Sequence, residues 1–238
     1  MTEIELVIKP EMAHDLARVL AVVWGGADPI PADVIIAIIH SGGYASLASQ
    51  IVNGRKQFVG GSLALVGNHQ RKLHSHITGV IDAATNTGVG RALKDHQWSW
   101  AKEKEFSTIS WTFDPLVRRN AHFNLIVLGA KVVKYCQNYY GEINDSINSG
   151  DQTDRLVVER QVDGMAVAPS GNFCKADADD LIIQTPKDIV SLRKTDRETA
   201  TKLRLEQRAS FESAFANCFT VHGLTGDGFF VMTKHRVI

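Results

Sequence analysis

The chain has 238 residues, and its 26 lysines and arginines balance its 26 aspartates and glutamates, so the formal net charge at pH 7 is zero. Hydrophobic residues make up 44% and charged residues 22%, which excludes an intrinsically disordered chain. No apolar run reaches the roughly 18 residues of a membrane span, and the acidic N-terminus lacks the basic start of a signal peptide. We therefore expect no membrane association, and three widely spaced cysteines predict a reducing, cytoplasmic location: Cys136, Cys174 and Cys218.

The charges are unevenly distributed along the chain. Residues 51–150 carry 12 positive and 7 negative charges, whereas residues 1–50 carry 2 positive and 6 negative. The middle of the chain is where an anionic ligand is expected, although a solvated surface would give the same pattern. The excess is too small and too scattered for a nucleic-acid-binding protein, so we expect no nucleic-acid partner.

The first 43 residues predict one strand and two helices. Residues 3–9 alternate as a strand does, and Pro10 suits the first position of a helix that ends at Gly25. A second helix begins at Pro31. Its predicted apolar face consists of Val34, Ile35, Ile38 and Ile39.

From residue 44 onward, the spacing of the apolar residues changes from that of a helix to that of consecutive antiparallel strands. Two strands, 44–52 and 58–66, flank the strong hairpin turn Asn53-Gly54, and a third strand spans 73–81. The elements predicted after it are a helix over 91–105, a strand over 107–113, a helix over 115–128 and a strand over 131–140. The order β-α-α-β-β-β-α-β-α-β predicts an α/β fold with a mixed sheet.

The remainder of the chain is less regular. A strand is predicted over 154–162, a polar, broken stretch over 163–185, and a short helix from Pro186. A capping-box pattern at Thr195–Glu198 begins a long helix, which a final hairpin follows. We therefore divide the chain into an α/β core, 1–160, and a C-terminal α+β extension, 161–238, which packs on the core or on the partner in a homodimer.

One segment carries the strongest chemical signal. The strand that ends at Ile81 runs into a loop of small residues and then into a helix. Backbone N–H groups at a helix N-terminus bind phosphate oxygens, and Gly88 and Gly90 would let a bulky pyrophosphate approach closely. The spacing fits neither a Walker loop nor a Rossmann fingerprint, and a plain β–α turn stays an alternative.

Together with the element order, this loop resembles that of the GNAT superfamily of acyl-CoA-dependent N-acetyltransferases. Thr85–Gly90 occupies the place of the family's pyrophosphate loop, Asn120-Ala121 stands near the start of its next helix, and Leu128-Gly129 stands at that helix's end. The resemblance is closer to an uncharacterised branch of predicted GNAT acetyltransferases. The segments that carry it are WTFDPL at 111–116 and NAHFN at 120–124.

The resemblance implies a GNAT-like fold and direct transfer of an acetyl or other acyl group from acetyl-CoA or another acyl-CoA. The acceptor would be a small-molecule amine or an amino-acid-like compound. The implied cosubstrate site combines main-chain groups for the pantetheine arm, the loop and helix start for the pyrophosphate, and two asparagines: Gly79, Val80, Ile81, Thr87, Gly88, Val89, Gly90, Arg91, Asn120 and Asn124.

Two departures from the family pattern bear on activity. Position 85 is threonine where the family favours arginine or glutamine, and Arg91 and Lys94 could compensate. Leu125 stands where the family often has a tyrosine that protonates the leaving thiolate. A catalytically weak or inactive CoA-binding sensor is therefore an alternative.

Three residues are candidates for the group that accepts the amine's proton. His74 and His76 lie two apart on a strand, so their side chains share a face, and an imidazole titrates near neutrality. Both could instead be structural, or a metal pair in a metal-dependent hydrolase, but no third ligand is evident and we expect no metal. Asp114 is either a base or the cap of the following helix, and weaker candidates are Glu142, Tyr139 and Tyr140.

The pair Asp154-Arg155 also has two interpretations. It could be a salt bridge that fixes its strand, or it could form a wall of the acceptor site.

Overall fold

A computed structural model describes residues 2–25, 30–67, 71–141, 151–162 and 171–234. These residues form two compact units. The first comprises the described residues up to Trp111 together with Gln161 and Val162, and the second comprises those from Thr112 to Arg160 and from 171 onward. Within the described ranges, no helix is long and apolar enough to cross a membrane.

The first unit is built on a sheet with the strand order β1-β2-β3-β4-β5. Neighbouring strands are antiparallel from β1 to β4, whereas β4 and β5 run parallel. In chain order its elements are β1 (Thr2–Leu6), α1 (Pro10–Trp24), α2 (Ala32–His40), β2 (Tyr44–Val52), β3 (Arg55–Val66), β4 (Lys72–Val80), α3 (Val89–Glu103) and β5 (Thr108–Phe113), whose last two residues belong to the second unit. The predicted element order is confirmed.

Apolar side chains place the three helices of this unit on the sheet. Leu16 and Leu20 of α1 and Ile35 of α2 form one core with Leu47 and Leu63 of the strands. Leu93 of α3 belongs to a separate core, with Val59 of β3 and Ala48 of β2. The prediction for α2 was wrong at Val34, which is 43% exposed, because the buried face of the helix centres on Ile35.

A turn and a helix end in this unit lie at the residues predicted from the sequence. Asn53 and Gly54 both have positive φ, 51° and 73°, as a two-residue turn needs when its twist matches that of the strands it joins. Gly25 adopts φ 66° and its N–H bonds to the oxygen of Ala21, which ends α1 at the predicted residue.

The second unit contains a two-stranded ladder, a three-stranded sheet and helices. The pair β6–β7 is antiparallel, and the order β8-β10-β9 is antiparallel throughout. Its elements are α4 (Arg118–Ala121), a π-helical segment (His122–Val127), β6 (Lys131–Cys136), β7 (Arg155–Gln161, whose last residue belongs to the first unit), β8 (Leu181–Ile183), α5 (Ile189–Thr195), α6 (Arg197–Ala216), β9 (Phe219–Leu224) and β10 (Phe230–Lys234). The final hairpin, β9–β10, is confirmed.

The single helix predicted over 115–128 was wrong. Asp114 accepts a hydrogen bond from the N–H of Leu116 at 2.9 Å, and its carbonyl accepts one from Val117 at 3.1 Å, so a turn precedes α4. The chain then widens into the π-helical segment, which ends where the N–H of Leu128 bonds to the oxygen of Phe123 at 2.9 Å.

Two further details of the second unit differ from the predictions. The strand β8 lies in the stretch predicted to be irregular, because Leu181–Ile183 is short and gains its order by pairing with β10. The long helix α6 is capped by Asp196 rather than by Thr195, since the Asp196 carboxylate accepts a bond from the Thr199 N–H at 3.0 Å.

Candidate active site

The strand β4 has an open edge along its second half. In the described chain its register with β5 joins Lys72–His74 to Thr108–Ser110. The Ile81 N–H donates to the Val59 oxygen of β3 at 2.9 Å, and Val80 lies opposite Gly60. Because bonded and non-bonded pairs alternate in an antiparallel ladder, the N–H and C=O of Val80 point away from β3, toward this open edge.

This geometry separates the three residues predicted to hold a pantetheine arm. Val80 directs its main-chain groups to the open edge, whereas the Ile81 N–H is already bonded to β3. A Cβ at Gly79 would lie 2.4 Å from the Trp24 ring, so glycine is needed there for α1 to pack against β4. The three residues therefore make different contributions, and Val80 is the one that presents a donor and an acceptor.

The two histidines of β4 lie side by side. Their ring centroids are 6.1 Å apart, which agrees with the predicted shared face. The register shifts where Leu63 pairs with Ile77 and Ala64 with Ser75, so His76 is the extra residue of a β-bulge and its side chain is exposed.

The pKa values of both imidazoles are lowered, which favours the neutral form. Burial lowers the pKa of His74, and the nearby His76 and Lys94 lower it further. Although His76 is exposed as a residue, the partial desolvation of its ring by neighbouring groups lowers its pKa as well. A neutral imidazole can accept a proton, so both residues keep the property that a general base requires.

The loop that leads into α3 is folded by its own hydroxyl groups. Thr85 donates to the Asp82 oxygen at 2.8 Å, and Thr87 donates to the Ala84 oxygen at 2.7 Å. Gly88 precedes the helix with φ 88°, and a Cβ there would meet open space, so it is the backbone angle that requires glycine.

The first turn of α3 presents main-chain donors. The Ala92 N–H makes the first bond of the helix, to the Gly88 oxygen at 2.9 Å. The N–H groups of Val89, Gly90 and Arg91 precede it, and the N-cap residue Gly88 has no side chain that could cap them. This is the arrangement that favours an anion.

The two basic residues expected to compensate for Thr85 have other contacts. Arg91 forms an ion pair with Asp95 one turn along α3, with 2.7 Å between Nε and Oδ2. Lys94 is buried, its Nζ donates to the Ser75 hydroxyl at 2.6 Å, and it lies 4.3 Å from the centre of the Trp111 ring. The prediction for Lys94 was therefore wrong, because it lies on the face of α3 that packs on the sheet.

In the second unit, Asp114 is the centre of a buried ion-pair cluster. Arg204 donates to its two carboxylate oxygens at 2.8 and 2.7 Å, and Arg193 donates at 2.6 Å. Burial opposes ionisation of the carboxyl, but the two arginines outweigh it and hold the pKa of Asp114 well below its usual range. A carboxylate held this firmly is a poor proton acceptor, so the geometry favours the structural one of its two predicted roles.

The salt bridge expected between Asp154 and Arg155 is made with another partner. Arg208 binds Asp154, with 2.9 Å from its Nε and 2.7 Å from its Nη2 to the carboxylate. Arg155 instead donates to the main-chain oxygen of Asp154 at 2.9 Å. No local pattern indicates this pairing, because α6 supplies Arg208 from 54 positions further along the chain.

Several solved acetyltransferase structures are similar to this chain, although no protein-family model and no curated protein matches its sequence. An N-acetyltransferase from Staphylococcus aureus Mu50 has a TM-score of 0.53 at 15% identity, over 68% of this chain and 99% of that one. An Arabidopsis thaliana protein in complex with the bisubstrate analogue CoA-Ac-MVNAL has a TM-score of 0.52 at 16% identity, over 67% and 97%. An IAA acetyltransferase from Bacillus cereus ATCC 14579 has a TM-score of 0.50 at 17% identity, over 68% and 99%.

The chain has the GNAT acetyltransferase fold. The open edge of β4, the glycine-bearing loop and the start of α3 follow one another along its first unit.

The asparagines of this GNAT-fold chain lie in and beside the π-helical segment. Asn124 is buried, and its side-chain amide donates to the Asn120 oxygen at 2.8 Å. That bond occupies the Asn120 carbonyl where α4 passes into the π-helical segment. Asn124 therefore has a structural contact that residue spacing in the sequence does not predict. Asn120 is half-buried on α4.

The described residues offer little to a metal ion. They contain no group of three or more histidine, cysteine, aspartate or glutamate side chains that could hold one. The pair His74 and His76 therefore has no third ligand among them, and Glu142 lies outside the described residues.

Proposed function

We propose that the protein transfers an acetyl or other acyl group from acyl-CoA directly to an amine. The observation that carries this proposal is the open edge of β4, where Val80 presents main-chain groups and neutral histidines lie on the same strand. The GNAT fold of the chain supports it, and so does the first turn of α3, whose N-cap residue Gly88 has no side chain to occupy the main-chain donors.

The residues present fit acetyl-CoA as the cosubstrate. The N–H groups of Val89, Gly90 and Arg91 would hold the pyrophosphate, with Thr87 and Gly88 shaping the approach. The main chain of Val80 would pair with the pantetheine arm as a neighbouring strand would, beside Gly79 and Ile81. Asn120 stays a prediction for this cosubstrate, and Asn124 fixes the turn that carries Asn120.

The chemistry needs a neutral amine and a stabilised oxyanion. The amine nitrogen forms a bond to the thioester carbon, the carbon–sulfur bond breaks, and a chain of waters carries the proton of the amine to His76 or His74, which lie four and six residues before Val80 on β4. The Val80 N–H would stabilise the negative charge that develops on the carbonyl oxygen. Leu125 has no proton to donate to the leaving thiolate. Water would therefore protonate the CoA thiolate.

The larger organisation of the chain is part of the proposal. The core over 1–160 would bind the cosubstrate, and the extension over 161–238 would pack on the core or on the partner in a homodimer. The acceptor we propose is a small amine or an amino-acid-like compound.

Release of the CoA thiol with a panel of amines tests the reaction. Purified protein with acetyl-CoA should release thiol when an acceptor is added, and the double variant His74→Gln, His76→Gln should bind acetyl-CoA unchanged while turnover falls. Acetyl-CoA binding without thiol release from any amine would instead identify a sensor and contradict the proposed transfer.

A further inference from the structure

A chain of hydrogen-bonded side chains lies between α3 and the strands β3 and β4 of the first unit. The Lys94 Nζ donates to the Gln97 side-chain oxygen at 3.4 Å, and the Gln97 amide nitrogen donates to the Ser62 hydroxyl at 3.2 Å. The hydroxyls of Ser62 and Thr78 lie 2.8 Å apart. Lys94, Gln97 and Ser62 are buried. Thr78 is half-buried, so the chain leads from a buried ammonium group to a partly exposed hydroxyl on β4.

The donors and acceptors of this chain fix its direction. An ammonium group can only donate, so the oxygen of the Gln97 side chain faces Lys94 and its nitrogen faces Ser62. Within the described ranges, the Ser62 hydroxyl has one further partner, the Thr78 hydroxyl. A fully buried hydroxyl whose hydrogen finds no acceptor is costly, so Ser62 donates to Thr78. The hydrogen of the Thr78 hydroxyl is then available to water or to a ligand.

The charge of Lys94 strengthens the last donor of the chain. Each group from Gln97 to Thr78 accepts a hydrogen bond on the side of the ammonium group and donates on the other side. Successive hydrogen bonds of this kind polarise one another, and a buried setting of low dielectric strengthens them. The Thr78 hydroxyl is consequently a stronger donor than that of an isolated threonine, and it suits an acceptor that gains negative charge.

The main chain of Thr78 faces the open edge of β4. Thr78 lies opposite Ser62, three positions before Ile81, whose N–H donates to the Val59 oxygen of β3. Because bonded and non-bonded pairs alternate in an antiparallel ladder, the N–H and C=O of Thr78 point away from β3, as those of Val80 do. Side chains of a non-bonded pair lie close together, which agrees with the short contact between the two hydroxyls.

The order of groups along β4 indicates which part of the cosubstrate would reach Thr78. The pyrophosphate would bind at the start of α3, beyond the C-terminal end of β4, so the pantetheine arm would run back along the strand past Val80. The thioester lies at the far end of that arm. His76 and His74, the candidate bases, lie further back on the same strand. Thr78 therefore lies between the main-chain groups for the arm and the groups for proton transfer.

We infer that Thr78 is a catalytic residue whose hydroxyl donates a hydrogen bond to the carbonyl oxygen of the thioester. This inference rests on the proposed function, which it deepens by adding a side-chain donor to the Val80 N–H. As the amine nitrogen bonds to the thioester carbon, an electron pair moves to the carbonyl oxygen, and both donors stabilise that negative charge. The carbonyl re-forms when the carbon–sulfur bond breaks, and the Thr78 hydroxyl keeps its proton throughout. Ser62 and Gln97 are positioning residues, because they act through Thr78.

Two conservative substitutions test the hydroxyl. Thr78→Val keeps the β-branched shape and removes the hydroxyl, whereas Thr78→Ser keeps the hydroxyl. With acetyl-CoA and the best amine of the panel, Thr78→Val should lower kcat about 10- to 100-fold, as expected for one hydrogen bond to a charged group. Calorimetric binding of acetyl-CoA should not change, because a bond to the neutral carbonyl replaces one to water. Thr78→Ser should retain most of the wild-type kcat.

A matched control and a double variant separate catalysis from general damage to the sheet. Thr108→Val removes a β5 hydroxyl that donates to the Gln161 side chain at 3.2 Å, and kcat should stay unchanged. Ser62→Ala removes the bond to Thr78 and should lower kcat by less than Thr78→Val does. The double variant Ser62→Ala, Thr78→Val should lose no more than Thr78→Val alone, since Ser62 acts through the missing hydroxyl. Additive losses would overturn the chain, and equal losses in Thr78→Val and Thr78→Ser would overturn the role of the hydroxyl.

The infrared carbonyl band of bound acetyl-CoA, isotope-labelled at the carbonyl carbon, gives a readout that needs no turnover. A hydrogen bond to the oxygen weakens the C=O bond, so binding to the wild type and to Thr78→Ser should move the band to lower wavenumber. The shift should be smaller in Thr78→Val, and an equal shift there would overturn the inference. The same band difference without thiol release from any amine would support the bond from Thr78 and contradict the proposed transfer alone. Failure of the wild type to bind acetyl-CoA would overturn both.

Discussion

Arg204 of α6 donates two parallel hydrogen bonds to Asp114, at 2.8 and 2.7 Å, across 90 positions of sequence. Paired bonds of this geometry are among the stronger polar contacts in proteins. They hold the Asp114 carboxylate that also accepts the Leu116 N–H, and the turn so formed begins the segment that leads to α4. The C-terminal helices therefore fix the backbone that follows β5.

Removal of the Asp114 charge should destabilise the protein strongly. Asp114→Asn removes a buried carboxylate that binds Arg204 and Arg193, which keep their ion pairs with Asp151, and breaking a buried ion pair costs about 3–5 kcal/mol. Urea unfolding followed by circular dichroism measures the change. The control is Asp188→Asn at the exposed cap of α5, where asparagine can still accept the Ser191 N–H and the cost should stay under about 0.5 kcal/mol. Equal stability of the two variants would contradict this assignment.

The same carboxylate should make stability depend on acid pH. The pKa of folded Asp114 lies below that of the unfolded chain, so its contribution is fully present above the unfolded value and is lost as pH falls below about 3.9 toward the folded pKa. Unfolding free energies measured between neutral and acid pH should fall in that range. Asp114→Asn should flatten this part of the curve, and an unchanged slope in the variant would count against the role given to Asp114.

Lys94 should influence the titration of His74. Its positive charge contributes to the lowered pKa of that imidazole, after burial and His76. Lys94→Met should therefore raise the pKa of His74 toward about 6.5, the value of a free imidazole. Histidine resonances followed by NMR against pH report the change directly. Lys102→Met on the exposed end of α3 is the matched control, and a shift of equal size there would refute a local effect.

The pH dependence of acyl transfer should follow the same histidines. A base with a lowered pKa is neutral at pH 7 and becomes protonated only at lower pH, so kcat/KM should fall on an acid limb centred below about 6.5. In Lys94→Met that limb should move upward with the pKa of His74. A limb that stays in place while the NMR titration moves would assign the proton transfer to His76 or to water.

Gly79 should tolerate no side chain. A Cβ there would lie 2.4 Å from the ring of Trp24 and 2.9 Å from Val23, both on α1, so the helix would have to move. Gly79→Ala should cost about 1–3 kcal/mol, the usual cost of overpacking. Gly226→Ala, where the added Cβ meets open space, should stay within about 0.5 kcal/mol in the same unfolding experiment.

The sequence predicts those parts of the molecule that local rules determine. Three such features are the helix start at Pro10, the turn at Asn53-Gly54 and the strand β2. Each depends on a single residue, a dipeptide or one alternation of apolar residues, and each is present. The GNAT fold was predicted from the resemblance that the order of such elements, WTFDPL and NAHFN carry, and it is confirmed.

The buried clusters could not be predicted in this way. Arg193 and Arg204 lie 79 and 90 positions from Asp114, and charged residues on an amphipathic helix usually face solvent. Lys94 points inward because its Nζ donates to the Ser75 hydroxyl on β4. The periodicity of α3 alone gives no information about a partner on another element. The bulge at His76 likewise depends on how β3 pairs with β4, since one strand alone carries no register.

Calorimetric titration with acetyl-CoA tests the central claim most directly, using the wild type, Gly88→Ala and Gly54→Ala. Both glycines have positive φ and open space around the added Cβ, so the two variants carry similar backbone strain at different places. We predict that the wild type and Gly54→Ala bind alike and that Gly88→Ala binds at least about tenfold more weakly, because the α3 donors are displaced. No binding by the wild type at millimolar acetyl-CoA, or equal binding by all three proteins, would contradict an acyl-CoA site at the start of α3.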